Sequence, residues 1–159
     1  MTQYPYALCH SFSNSIRGGS KAAPVASAQG LCDQQMQYIA NEFVVPATGF
    51  ITATSNNALD VRFFSTQTEY PMCGHVSIAL GTWLVDNGTY ALDSLGKLNI
   101  NLRTLQSTAV LYASRNKSES VEIMIGLAVA TFESVTVDRQ EIEKMLELTA
   151  GEIDSRYPV

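Results

Sequence analysis

The stretch Glu69-Tyr70-Pro71-Met72-Cys73-Gly74-His75-Val76-Ser77-Ile78-Ala79-Leu80-Gly81-Thr82-Trp83-Leu84-Val85 delivers a thiol, a glycine and an imidazole to the start of a helix. A thiolate removes or returns a proton, and an imidazole titrates near neutrality and shuttles one. The first backbone N–H groups of a helix lack partners inside it. The aligned peptide dipoles also place partial positive charge there, which suits a carboxylate and favours thiolate over thiol. Cys73 and His75 are therefore the candidate catalytic acid/base residues. Gly74, His75 and Val76 are the candidate substrate-binding residues, since Gly74 has no side chain to keep a ligand off the backbone. The alternative for Cys73 is a buried, inert thiol, and for His75 a capping or packing role. Glu69 reads as a capping or pairing residue of the loop.

From His75 to Val85 there is no formally charged side chain other than the imidazole. A helix with so little polar surface is expected to be buried on nearly all sides, as a central helix over Gly74 to Val85. Asp86-Asn87-Gly88 stops it, with Asn87 or Gly88 as the left-handed cap.

The elements around it follow from periodicity and turn chemistry. Tyr6 to Phe12 forms a first strand. Ile16-Arg17-Gly18-Gly19-Ser20-Lys21 is a loop, and Ala22 to Ala28 a second strand interrupted at Pro24. Asp33 stands as an N-cap before Met36, Ile39, Ala40 and Phe43, the spacing of an amphipathic surface helix that ends at Val44-Val45-Pro46. Phe50 to Thr54 and Leu59 to Ser65 flank Ser55-Asn56-Asn57-Ala58 as a hairpin, with Val61 and Phe63 on one face and Arg62 and Phe64 on the other. Leu98, Ile100 and Leu102 alternate with Asn99, Asn101 and Arg103. Ala109 to Ser114 and Val121 to Ile125 follow as antiparallel strands joined at Asn116-Lys117-Ser118. Val137 to Ile142 carries a capping box (Asp138 with Glu141) and a hydrophobic staple, opening a helix to about Leu148 whose acidic residues form its solvated face. Residues 149–159 read as the start of a linker.

Composition bounds the function. The 159 residues are 46% hydrophobic and 16% charged, enough for one domain with a sizeable core and too short for two full ones. So little charge suggests that part of the surface is covered by a partner. The net charge of −5 argues against nucleic acid as a partner, because Arg17 and Lys21 are the nearest approach to a basic cluster. Three cysteines, Cys9, Cys32 and Cys73, show no C-x-x-C spacing, so neither a disulfide framework nor a metal site is expected, and Cys9-His10 reads as core and strand surface. No apolar run reaches the length of about 18 residues of a membrane span, and the first residues lack a secretory pattern, so the expectation is a soluble, cytoplasmic protein without membrane partners.

Taken together, these residues resemble the PhzF-like isomerases, within the wider group that includes diaminopimelate epimerase and proline racemase. Leu31 to Glu42 is similar to the family's first helix, and Val61-Arg62-Phe63-Phe64-Ser65 with Glu69 and Cys73-Gly74-His75 to its strand and signature. Met72-Cys73-Gly74-His75 is similar both to the Cys-Gly-His-Ala-Thr of PhzF-like proteins and to the Met-Cys-Gly-His of proline racemases, where the cysteine is one of two acid/base thiols.

The resemblance implies an α+β fold, a mostly antiparallel, barrel-like sheet wrapped around a central helix, as one of two pseudo-symmetric domains with substrate in the cleft between them. The chain matches the first domain, as a single unit over 1–159; the second signature, Asp-x-Ala-Thr-Gly-Ser, has no counterpart. The implied activity is a cofactor-independent isomerisation or epimerisation of a small carboxylate, completed by a homodimer or a separate second-half chain. The family's acid/base glutamate aligns with Ala47, and Gly18-Gly19-Ser20-Lys21 replaces the usual Gly-Asn-Pro. The alternative is a non-catalytic carboxylate-binding or regulatory module.

Overall fold

The structure, a computed structural model, describes residues 3–13, 15, 17–116, 118–127, 129, 137–154 and 156. They fall into two compact units, residues 1–128 and 129–159.

The first unit is an eight-stranded mixed sheet with two helices. Its strands are β1 (Cys9–Ser11), β2 (Ser20–Val25), β3 (Ala47–Ser55), β4 (Ala58–Phe64), β5 (Glu69–Tyr70), β6 (Lys97–Arg103), β7 (Thr108–Arg115) and β8 (Val121–Gly126). They lie in the order β1-β2-β3-β4-β6-β7-β8, with β5 pairing to β4. Only β2 with β3 and β4 with β6 are parallel; the other pairs are antiparallel.

Helix α2 (Gly74–Asp86) lies against β1, β2 and β3 near one end of this order and against β7 and β8 at the other. One helix touches both ends only if the sheet curls around it, so the fold is the expected barrel-like sheet on a central helix. Val76, Ala79, Leu80 and Leu84 of α2 are buried together with Val61, Phe63, Ile100, Leu102 and Leu111. Gly88, at φ 74°, supplies the left-handed residue after the helix, whereas Asn87 stays at φ −84°.

Helix α1 (Asp33–Phe43) covers the other side of β3 and β4, where Met36 and Ala40 pack with Val25, Ala28, Phe50 and Phe64. The alternation read from β4 holds: Val61 and Phe63 face the inner core, while Phe64 faces α1 with the Arg62 guanidinium 5.2 Å from its ring centroid. Arg62 also grips Glu69 through two bonds of 2.7 and 2.6 Å and reaches Asp33 at 2.6 Å, so one cation ties β4, β5 and the first turn of α1 together. Glu69 is thus a pairing residue.

Several local expectations are corrected. The N-cap of α1 is Cys32, whose N–H donates to the Gln35 side chain at 2.9 Å; Asp33 is the first helical residue and turns to Arg62 instead. The first strand is shorter than Tyr6 to Phe12, with Tyr6 making an isolated bridge to Val25. Pro24 does not interrupt β2. Its carbonyl accepts from Ala7 N–H at 3.1 Å, and since the N and C=O of one strand residue point the same way, the missing N–H faces segment 6–8 and costs no bond to β3. In the turn after β7, Asn116 Oδ1 accepts from the Ser118 and Ser120 N–H groups; Lys117 lies outside the described residues.

In the second unit α3 (Arg139–Met145) stops three residues short of Leu148. Asp138 caps it by accepting from Gln140 N–H at 2.9 Å, a cap without the box to Glu141. Glu143 is not on a solvated face: it is 4% exposed, and Oε1 accepts from the Gly151 and Ile153 N–H groups at 2.8 and 3.4 Å. A loop folded back on the helix hides it, which helical periodicity cannot show. The terminal Tyr157-Pro158-Val159 lies outside the described residues.

Candidate active site

The first turn of α2 is built from four directions. Cys73 occupies the N-cap position in extended conformation, and Ser77 closes the turn, with Oγ donating to the Cys73 carbonyl at 2.8 Å. From β1, the Ser11 hydroxyl donates to the His75 carbonyl at 2.5 Å. Ser11 itself is held at the tight loop before β2, where Gly19 takes φ 69° and a side chain would collide with the Ser11 carbonyl. The parallel strands β2 and β3 begin alongside, in register Ala22 to Ala47, and Ala22, Ala47, Cys73 and Val76 pack in one cluster.

Cys73 and His75, two residues apart, are brought into contact: Sγ lies 3.3 Å from Nδ1. Cys73 is 8% exposed and His75 is half-buried. Burial pushes the thiol above its ordinary value of 9.0, outweighing the opposite pull of the Val76 and His75 backbone N–H groups. Burial also pushes the imidazole below 6.5, against a smaller upward effect of the Lys21 backbone. Near neutral pH the resting pair is therefore thiol and neutral imidazole. In the tautomer with the ring proton on Nε2, the thiol donates to Nδ1. Nε2 is buried and makes no hydrogen bond to the described residues. An unmade bond of this kind costs about 1–3 kcal/mol, which an incoming acceptor oxygen would recover.

Gly74 leaves open space beside its backbone: a Cβ there would meet nothing within 4 Å. The Val76 side chain is fully buried, which leaves the backbone N–H as the group expected to meet a ligand there. Ala47, at the position aligned with the family glutamate, is a buried methyl with no acid/base capacity.

Two contributors were missed by the sequence reading. Ser11 carries no local signal, since its partner lies 64 residues away. Gly49 of β3 carries one: a Cβ there would fall 2.6 Å from Val76 Cγ1, and a glycine inside a β-prone run marks a place where another element approaches closely. A cleft of about 510 Å3 opens further along α2, lined by Cys9, His10, Ser11, Ile78, Thr82 and Ile123 among others; Cys73 and His75 do not line it. Among the described residues no cluster of three or more His, Cys, Asp or Glu side chains could hold a metal. No helix among them is long and apolar enough to cross a membrane.

This curled sheet on a central helix that starts at the Cys73-Gly74-His75 turn is the architecture of a family of isomerase-related proteins. The chain belongs to the phenazine biosynthesis-like protein family, PhzC-PhzF, whose model matches residues 9–159. It is 38% identical over 80 residues to an uncharacterized isomerase of Pasteurella multocida, covering 49% of this chain and 28% of that protein. It is 24% identical over 151 residues to an uncharacterized isomerase of Bacillus subtilis, covering 93% of this chain and 49% of that one. The PhzF-family phenazine biosynthesis protein of Bacillus anthracis superposes with a TM-score of 0.76 at 21% identity, over 99% of this chain and 52% of the other, a likeness of fold. The chain thus spans about half or less of the length of each of these proteins.

Proposed function

We propose that this chain is one half of a cofactor-independent isomerase that moves a proton beside the carboxylate of a small substrate. The observation that carries the reading is the 3.3 Å contact between Cys73 Sγ and His75 Nδ1 at the start of α2, with Nε2 buried and unpaired. The substrate carboxylate meets the helix start at Gly74, where the helix end favours an anion and the approach is open, while the His75 and Val76 N–H groups favour the Cys73 thiolate. His75 takes the thiol proton, Cys73 as thiolate removes the proton from the carbon next to the carboxylate, and the helix end stabilises the enolate charge. Return of a proton from the opposite face, or to another carbon, completes an epimerisation or isomerisation. The complementary acid comes from across the cleft, from a second copy of this chain or a separate second-half chain. A stable assembly of that kind buries on the order of 1,200–2,000 Å2.

The second reading is a carboxylate-binding or regulatory module without turnover, favoured by the buried methyl of Ala47 where the family carries its acid/base glutamate.

The test measures carboxylate binding and α-proton exchange into deuterated water, in the assembled complex, for the wild type, Cys73→Ala and His75→Ala. Loss of about 10²–10⁴ in exchange rate in both variants supports the isomerase reading. Exchange unchanged in both removes these residues from the chemistry. Binding without exchange in the wild type selects the regulatory module. Light scattering on the same samples checks assembly, and a monomer at high concentration in the presence of the candidate second half counts against it.

A further inference from the structure

Gly49 lies in β3, bonded into the sheet on both sides, opposite Phe63 of β4 and Pro24 of β2. A Cβ built on Gly49 would fall 2.6 Å from Val76 Cγ1, far inside any real carbon contact, while its next neighbours, two Phe63 ring atoms, stay at an ordinary 3.4 Å. The space a side chain would need at residue 49 is therefore filled by one methyl of Val76. That methyl has nowhere to turn: Val76 is fully buried, and a β-branched side chain in a helix is held to one rotamer. Strand β3 cannot yield either, since it is paired on both flanks.

Val76 immediately follows His75 and is three residues beyond Cys73, so whatever sets its depth sets the height of the whole first turn. The geometry points to Gly49 as a positioning residue of the Cys73–His75 pair, its missing side chain forming the notch into which Val76 locks the start of α2. The notch and the Ser11 hydroxyl, which holds the His75 carbonyl from β1, act as two separate anchors on one turn. With alanine at residue 49 the helix start must lift by about 1 Å to restore normal contact, a misplacement worth roughly 10²-fold in a reaction that depends on alignment. The catalytic significance of the notch rests on the isomerase reading, but its geometry does not.

The test compares the wild type, Gly49→Ala, Val76→Ala and the double variant Gly49→Ala/Val76→Ala, all as the full chain. The readout is the rate of Cys73 alkylation from pH 6 to 10, followed on the Cys73 peptide by mass spectrometry, with urea unfolding as the check on folding. Gly49→Ala is expected to change the Cys73 rate severalfold and shift its pH midpoint, and removing the Val76 methyls in the double variant is expected to return both towards the wild type. If Gly49→Ala fails to fold, the double variant carries the test: folded with a wild-type-like Cys73 profile, it supports the notch. A folded Gly49→Ala with the wild-type profile overturns the proposal. So does a double variant that folds no better, or reacts no more like the wild type, than Gly49→Ala while Val76→Ala alone is folded. A wild type without proton exchange sinks the isomerase reading and leaves this one standing.

Discussion

The Ser11 hydroxyl donates a 2.5 Å hydrogen bond to the backbone carbonyl of His75, joining the first strand to the first turn of the central helix. Ser11→Ala is expected to lower stability in urea by about 0.5–1.5 kcal/mol, the net worth of such a bond. Cys73 alkylation at pH 8 should accelerate in the same variant as the turn loosens. Unchanged alkylation would show that this bond does not hold the site.

Stability is expected to plateau between the ordinary His and Cys values and fall on either side. The His75 pKa is depressed in the fold by burial, so its contribution is present above 6.5 and is lost as pH falls through the lower folded value. The Cys73 pKa is raised by burial, so its contribution is present below 9.0 and is lost as pH rises through the higher folded value. Each limb carries up to one proton, about 1.4 kcal/mol per pH unit. His75→Asn should flatten the acid limb. Cys73→Ala should lessen the alkaline one without abolishing it, because burial also raises Cys9 and Tyr90. Urea unfolding at pH 5, 6, 7.5, 9 and 10 checks both.

Restoring a glutamate at residue 47 should be costly in this chain. Ala47 is fully buried in the cluster that holds Cys73 and Val76, so Ala47→Glu combines overpacking with a desolvated carboxyl whose pKa rises. We expect a loss of about 3 kcal/mol at pH 8 and at least about 1 kcal/mol less at pH 5, where the carboxyl is closer to its protonated form. Equal losses at both pH values would mean that the carboxylate finds solvent or a cation.

Val44, the residue after α1, takes φ 51° and is 78% exposed. A β-branched residue in the left-handed region is strained by roughly 1–2 kcal/mol, part of which glycine gives back through its freer unfolded chain. Val44→Gly is therefore expected to stabilise the protein by about 0.5–1 kcal/mol in urea. A loss of stability would show that Val44 makes a contact worth more than the strain.

Some of this protein was legible in the residues alone, because the signals are local. The absence of charge from His75 to Val85 marked the central helix, the Ser55 to Ala58 turn marked the β3–β4 hairpin, and the alternation of Val61 and Phe63 with Arg62 and Phe64 assigned the two faces of β4. The Cys73-Gly74-His75 spacing pointed to the family that its relatives confirm. Each of these is a relation between residues within a few positions of one another.

Tertiary structure decided what depends on distant partners. Arg62 drew Asp33 away from a capping role, the backbone of a returning loop buried Glu143, and strand register placed Pro24 where its missing N–H costs nothing. The same division governs the candidate site. The helix dipole acting on Cys73 is local and reads from the sequence as a push towards thiolate. The desolvation that reverses it comes with burial in a cluster whose members reach as far along the chain as Ala22 and Leu111, which meet only once the sheet has curled around the helix.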